Sequence, residues 1–287
     1  MLVFHQDGCP YCNALVERNL AQKDIEEKVR KNFDAIEINL WGDLEVTNME
    51  GTQFTEKTFA QQLKVQFTPT ILFYDENGDF ALRINGYYPP DKFRLALDYV
   101  IGKHDKNESF NDYLARLQPP PAGTLPADIS DRPYITGDGD MLASLSKEDK
   151  PMILLFEQTD CSNCQQLDEK VLKLEQTQEF ISAFNVVRLD MWGSKQVKSI
   201  DGKEMTEREL AKSLGVSYAP TLIFYSSDGA NKQEVIRSES WFKRFHTKSM
   251  MDYVATNAWQ QEANFQRYIS ARADAIRESG KDVNIFD

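Results

Sequence analysis

The four cysteines of this chain fall in two C-x-x-C pairs, Cys9-Pro10-Tyr11-Cys12 and Cys161-Ser162-Asn163-Cys164, and the residues around each pair repeat with it. Trp41-Gly42 returns as Trp192-Gly193, Pro69-Thr70 as Pro220-Thr221 and Phe73-Tyr74 as Phe224-Tyr225. Farther on, Tyr99-Val100 returns as Tyr253-Val254, and Phe110 and Tyr113 return as Phe265 and Tyr268. The offset, about 150 residues, is several times longer than a solenoid unit, so the repeat reads as two copies of one domain. A chain of 287 residues has the length for two ordinary cores.

Each copy carries the same order of signals. Short apolar runs, Leu2-Val3-Phe4 and Met152-Ile153-Leu154-Leu155-Phe156, precede the cysteines and read as buried strands. Helical spacing follows each pair, through Leu15 in the first and Leu167 and Val171 in the second. A second strand (Ala35–Ile38, Val186–Leu189) ends near the Trp-Gly. Helices are then expected at Thr55 and Thr206, the latter opening a capping box with Glu209. Pro69-Thr70-Ile71-Leu72-Phe73-Tyr74 and its counterpart from Pro220 lead into Asn77-Gly78 and Asp228-Gly229, turns suited to hairpins. A terminal helix closes each copy, and the region from about Lys248 to Ser279 reads as largely helical.

This order, with Phe-x4-Cys-x-x-Cys and a later Thr68-Pro69 or Ala219-Pro220, resembles the thioredoxin fold and covers nearly the whole chain twice. The Trp-Gly insertion and the Phe-x-x-Tyr of the added helix resemble exported thioredoxin-related proteins of the SoxW type. The resemblance implies an α/β chain of two tandem thioredoxin-like domains, each a central mixed sheet flanked by helices, with an extended C-terminal helix. The expected boundaries are 1–118, a Pro/Gly-rich tether at 119–137, and 138–287. Copy one starts almost inside its first strand, whereas copy two has a leading helix candidate at Met141–Leu145. A trimmed form of a longer, exported protein is therefore expected, with any signal upstream.

A cysteine at a helix start meets unsatisfied N–H groups and the positive end of the helix, which stabilise its thiolate, the nucleophile of disulfide exchange. Cys9 and Cys161 are expected to attack, and Cys12 and Cys164, one turn on and more buried, to resolve. The resemblance further implies that Pro69 and Pro220 are cis, and that Thr68 and Ala219 offer backbone groups to an extended substrate. Tyr11, expected at the surface between the cysteines, is a further substrate contact. The positions of a buried thioredoxin aspartate are taken by Val3 and Leu155. Asp160 beside Cys161 disfavours its thiolate, so the second pair is expected to be the more reducing and the first to face substrate. His5 is either a tuning group for Cys9 or a hydrogen-bonded residue at a strand end. Trp41 and Trp192 read more readily as caps on the core than as groove residues. His104 and His246 read as surface residues.

Composition removes other classes. With 45 Asp plus Glu against 33 Lys plus Arg the net charge is -12, which opposes binding to nucleic acid. No apolar run approaches the length of a membrane span. The expected activity is thiol–disulfide exchange with protein thiols and disulfides. It needs no bound cofactor and no metal, and a membrane electron donor is a possible partner. A shared zinc site of four cysteines, an inert binding or scaffold protein, and an oxidant or isomerase stand as alternatives.

Overall fold

In the computed structural model the chain divides into two compact units, Met1–Pro119 and Pro120–Asp287. The structure describes residues 1–118, 120–239 and 242–283. Within them no helix is long and apolar enough to cross a membrane.

Unit 1 begins with β1 (Leu2–His5) and α1 (Pro10–Ala14), which runs on into a π-helical segment, Leu15–Leu20. It continues through α2 (Lys23–Asn32), β2 (Ile36–Asn39), β3 (Glu45–Thr47), β4 (Gln53–Thr55) and α3 (Glu56–Gln62). β5 (Thr70–Tyr74), β6 (Phe80–Asn85), α4 (Pro90–Ile101) and α5 (Phe110–Leu117) complete it. The sheet order is β2-β1-β5-β6, with β1 parallel to β2 and antiparallel to β5. Alternation along β5 feeds the two faces. Ile71 and Phe73 join the core under α2, α4 and α5, and Leu72 joins Phe4, Ile38 and Phe59 on the α3 side.

Unit 2 repeats the plan with one addition at its start. It comprises β7 (Gly137–Asp138), α6 (Leu142–Leu145), β8 (Met152–Glu157), α7 (Ser162–Leu167) and a π-helical Asp168–Leu172. Then come α8 (Glu175–Ile181), β9 (Asn185–Asp190), β10 (Gln196–Lys198), β11 (Glu204–Thr206) and α9 (Glu207–Ser213). β12 (Thr221–Tyr225), β13 (Glu234–Ser238), α10 (Arg244–Ala255) and α11 (Phe265–Glu278) close the unit. The sheet order is β13-β12-β8-β9-β7. β8 is buried along its whole length, as its unbroken apolar run requires of a central strand covered on both faces.

Both helix starts after the Trp-Gly insertions carry capping boxes, Thr55 with Thr58 and Thr206 with Glu209. The insertions themselves form two-stranded hairpins, β3–β4 and β10–β11, which their short and polar sequences did not announce. The added helices pack alike: Tyr99 meets Phe110 and Tyr113, and Tyr253 meets Phe265 and Tyr268. Tyr99 and Tyr253 each donate to a backbone carbonyl, of Glu108 and Glu262 respectively.

The stretch expected as a tether is only partly one. Arg132, Tyr134 and Ile135 are buried in unit 2, and Gly137–Asp138 pairs in parallel with Val187–Arg188 of β9. The Arg132 guanidinium donates twice to Glu157, at 2.8 Å each, and the Arg188 Nε donates to the same carboxylate at 2.7 Å. Proline-rich composition marks the first half of this stretch, but the charge and aromatics of its second half seek partners on the sheet.

Candidate functional site

In each unit the strand before the cysteines ends in a loop whose last residue turns left-handed, Gly8 at φ 71° and Asp160 at φ 51°. That turn aims the chain into the helix, so that the first cysteine becomes the N-cap. Cys9 Sγ accepts the amide N–H of Cys12 at 3.1 Å, and Cys161 Sγ accepts that of Cys164 at 3.0 Å. Pro10 occupies the first helical position, where no N–H is needed. The pairs Cys9–Cys12 and Cys161–Cys164 are both disulfides.

All four sulfur residues are buried. The expectation that the second cysteine lies deeper is met in unit 2, where Cys164 is 6% exposed and Cys161 8%, but reversed in unit 1, where Cys12 is 9% exposed and Cys9 4%. The cause is Thr68, itself buried. Its hydroxyl donates to Cys9 Sγ at 3.4 Å, and its carbonyl oxygen lies 3.4 Å from the same sulfur. The peptide bonds Thr68-Pro69 and Ala219-Pro220 are cis. Ala219, at the place of Thr68, has no hydroxyl to give Cys161.

Tyr11, expected at the surface, is half-buried, and burial pushes its phenol above the ordinary value. At the matching place in unit 2, the Asn163 amide donates to the Tyr218 hydroxyl at 2.7 Å. Trp41 and Trp192 pack against the cores and also reach the loops before the cysteines: their indole N–H groups donate to Gln6 at 2.9 Å and Gln158 at 3.0 Å. The glutamine three residues before each first cysteine was visible in the repeat and is the signal that could have found this bond.

His5 faces Glu37, Nε2 to Oε1 at 3.3 Å, as a strand-end histidine. His104 is less of a surface residue than expected, since it stacks against Tyr99 and Tyr113 and pairs with Glu108. His246 likewise stacks on Phe242. Glu157, in the position matching His5, is locked between Arg132 and Arg188. Val3 in β1 and Leu155 in β8, each two residues before that position in its own unit, have no titratable group. No cluster of histidine, cysteine and carboxylate side chains among the described residues has the makings of a metal site.

A family profile described as thioredoxin-like domain matches residues 1–101 and again 139–245. No curated protein matches the chain. Among solved structures, a thioredoxin-fold protein from Helicobacter pylori is similar at 24% identity, covering 41% of this chain and 78% of that one, with a TM-score of 0.35. A thioredoxin from Thermus thermophilus is similar at 19% identity over 42% of this chain and 87% of its own, with a TM-score of 0.35. A structure of the first two thioredoxin domains of a Saccharomyces cerevisiae protein is similar at 12% identity over 82% of this chain and 84% of its own, with a TM-score of 0.25. C-x-x-C pairs capping helices in such domains support thiol–disulfide oxidoreductase activity in general. The family match spans well over half of the chain, in two copies: this protein belongs to the thioredoxin-like domain family.

Proposed function

We propose that the chain is a disulfide reductase acting on exported proteins, of the kind its resemblance to the SoxW type implies, and fed by a membrane electron donor. The observation that carries the reading is the position of Cys9 and Cys161, each a helix N-cap whose sulfur already accepts an amide N–H. In the reduced protein that N–H and the helix end favour the thiolate. The thiolate of the first cysteine forms a bond to one sulfur of a substrate disulfide, and the other substrate sulfur leaves as a thiolate and takes up a proton. The second cysteine then displaces the substrate from the first. The substrate gains two electrons and the pair becomes a disulfide. Thr68, beside the Cys9 sulfur, together with Pro69, Ala219 and Pro220 are the proposed substrate contacts, with Tyr11 as a further one.

The two pairs differ in a consistent direction. Thr68 donates to Cys9 Sγ, and a hydrogen bond to a thiolate stabilises it. Cys161 has Ala219 there and Asp160 beside it, both of which leave its thiolate less favoured. The second pair is therefore the more reducing, and the first faces substrate. Reduction of insulin by dithiothreitol tests this. Cys9→Ser is expected to lower turnover at least tenfold and Cys161→Ser by less. Thiol titration in redox buffers should place the second pair about 30 mV or more below the first, one decade in equilibrium constant. An intact protein without turnover would identify an inert, partner-holding module, and a higher potential for the second pair would reverse the assignment.

A further inference from the structure

The first helical turn, between the cysteines, and the loop before the cis-proline are joined differently in the two units. In unit 2 the Asn163–Tyr218 hydrogen bond spans the segments that flank Cys161, and both side chains are half-buried. The backbone behind Tyr218 is itself held, because the Thr221 hydroxyl donates to the Tyr218 carbonyl at 2.7 Å. Unit 1 has the same backbone clasp, Thr70 to the Phe67 carbonyl at 2.8 Å. Its matched side chains are Tyr11 and Phe67, and a phenyl ring has no hydroxyl with which to complete such a bond. With the bond in place Cys161 is no more covered than its counterpart, 8% exposed against 4% for Cys9. It ties the segment that follows Cys161 to the segment that precedes the cis-proline.

We propose that Asn163 and Tyr218 form a latch across the groove of unit 2, which resists extended protein segments while leaving Cys161 open to compact thiols and disulfides. The proposal rests on Cys161–Cys164 being a working dithiol. A polypeptide that lies along Ala219-Pro220 must part the helix start from the loop and break the bond before the Cys161 thiolate reaches its disulfide. A small disulfide reaches the sulfur with the two segments still joined. The exchange is the same for both: a bond forms between Cys161 and one substrate sulfur, the other leaves as a thiolate and is protonated, and Cys164 releases the first. Unit 2 then serves small-thiol carriers. Asn163 and Tyr218 act here as positioning residues.

The test uses the full chain carrying Cys9→Ser and Cys12→Ser, reduced beforehand, with rates measured on insulin and on a small aromatic disulfide. Tyr218→Phe, and separately Asn163→Ala, are expected to raise the ratio of the insulin rate to the small-disulfide rate about three- to tenfold, the factor one net hydrogen bond commands. Both substitutions together should raise it no further than either alone, because they remove one bond. A ratio that moves by less than about twofold in both variants, or that rises additively, overturns the latch. If the protein without either substitution fails to react with the small disulfide, the second pair is not a working dithiol, and the latch falls together with that reading.

Discussion

Gly42 and Gly193, the glycines of the two Trp-Gly pairs, lie against carboxylates. A Cβ at Gly42 would stand 1.8 Å from Glu56 Oε2, and one at Gly193 2.1 Å from Glu207 Oε2. Both glutamates are buried at the first position of a helix, where a carboxylate is favoured by the helix end. Glu56 accepts the Asn39 amide at 2.9 Å, but Glu207 accepts that of Asp190 at 3.3 Å, with Asp190 and Asp138 nearby. Burial pushes Glu207 up to about 7; the two aspartates add to the rise, while the amide bond and Lys195 oppose it. A folded value above the ordinary 4.5 means that the fold prefers the protonated acid. That stabilisation is full below about pH 4.5 and is lost as pH rises through about 7. Glu207→Gln is neutral throughout, so its Tm relative to the parent should rise between pH 5 and pH 8. A difference that stays flat over that range would contradict the assignment.

Among the elements, the segment leading into unit 2 departs most from expectation. Arg132 reaches Glu157 from this segment with both side chains nearly covered, and Arg188 shares the same carboxylate. Removing one partner of a buried pair leaves an uncompensated charge, at a cost of about 3–5 kcal/mol. With Arg188 remaining, Arg132→Ala is expected to lower the denaturant-derived stability of the chain toward the lower end of that range, by about 3 kcal/mol. It should also speed amide exchange in β7 and β9. A loss below about 1 kcal/mol would show that the segment is held by its apolar side chains alone. The longer strands, the helix starts at Thr55 and Thr206 and the hairpins at Gly78 and Gly229 were legible, because each has a local signature in period, cap or turn. The Arg132–Glu157 pairing was not, since its partners lie far apart in sequence. The β3–β4 and β10–β11 hairpins escaped for another reason: three-residue strands are too short to show alternation.

At the scale of the whole molecule, duplication holds the chemistry constant while its surroundings diverge. Each unit has a sulfur at a helix N-cap and a cis-proline later in the chain. One sulfur is met by a threonine hydroxyl, and the other unit carries an Asn–Tyr bond two residues after its first cysteine. The cysteine pairs could be read from spacing and the repeat, because C-x-x-C has few uses. Thr68 against Cys9 could not, because it depends on how closely two loops approach. The account turns on which sulfur attacks, and trapping the covalent intermediate measures that directly. Reduced Cys12→Ser and Cys164→Ser variants, mixed with a disulfide substrate and mapped by peptide mass spectrometry, should accumulate the substrate on Cys9 and Cys161 respectively. Adducts on the second cysteine of the intact pair, or no adducts at all while the fold is retained, would contradict it.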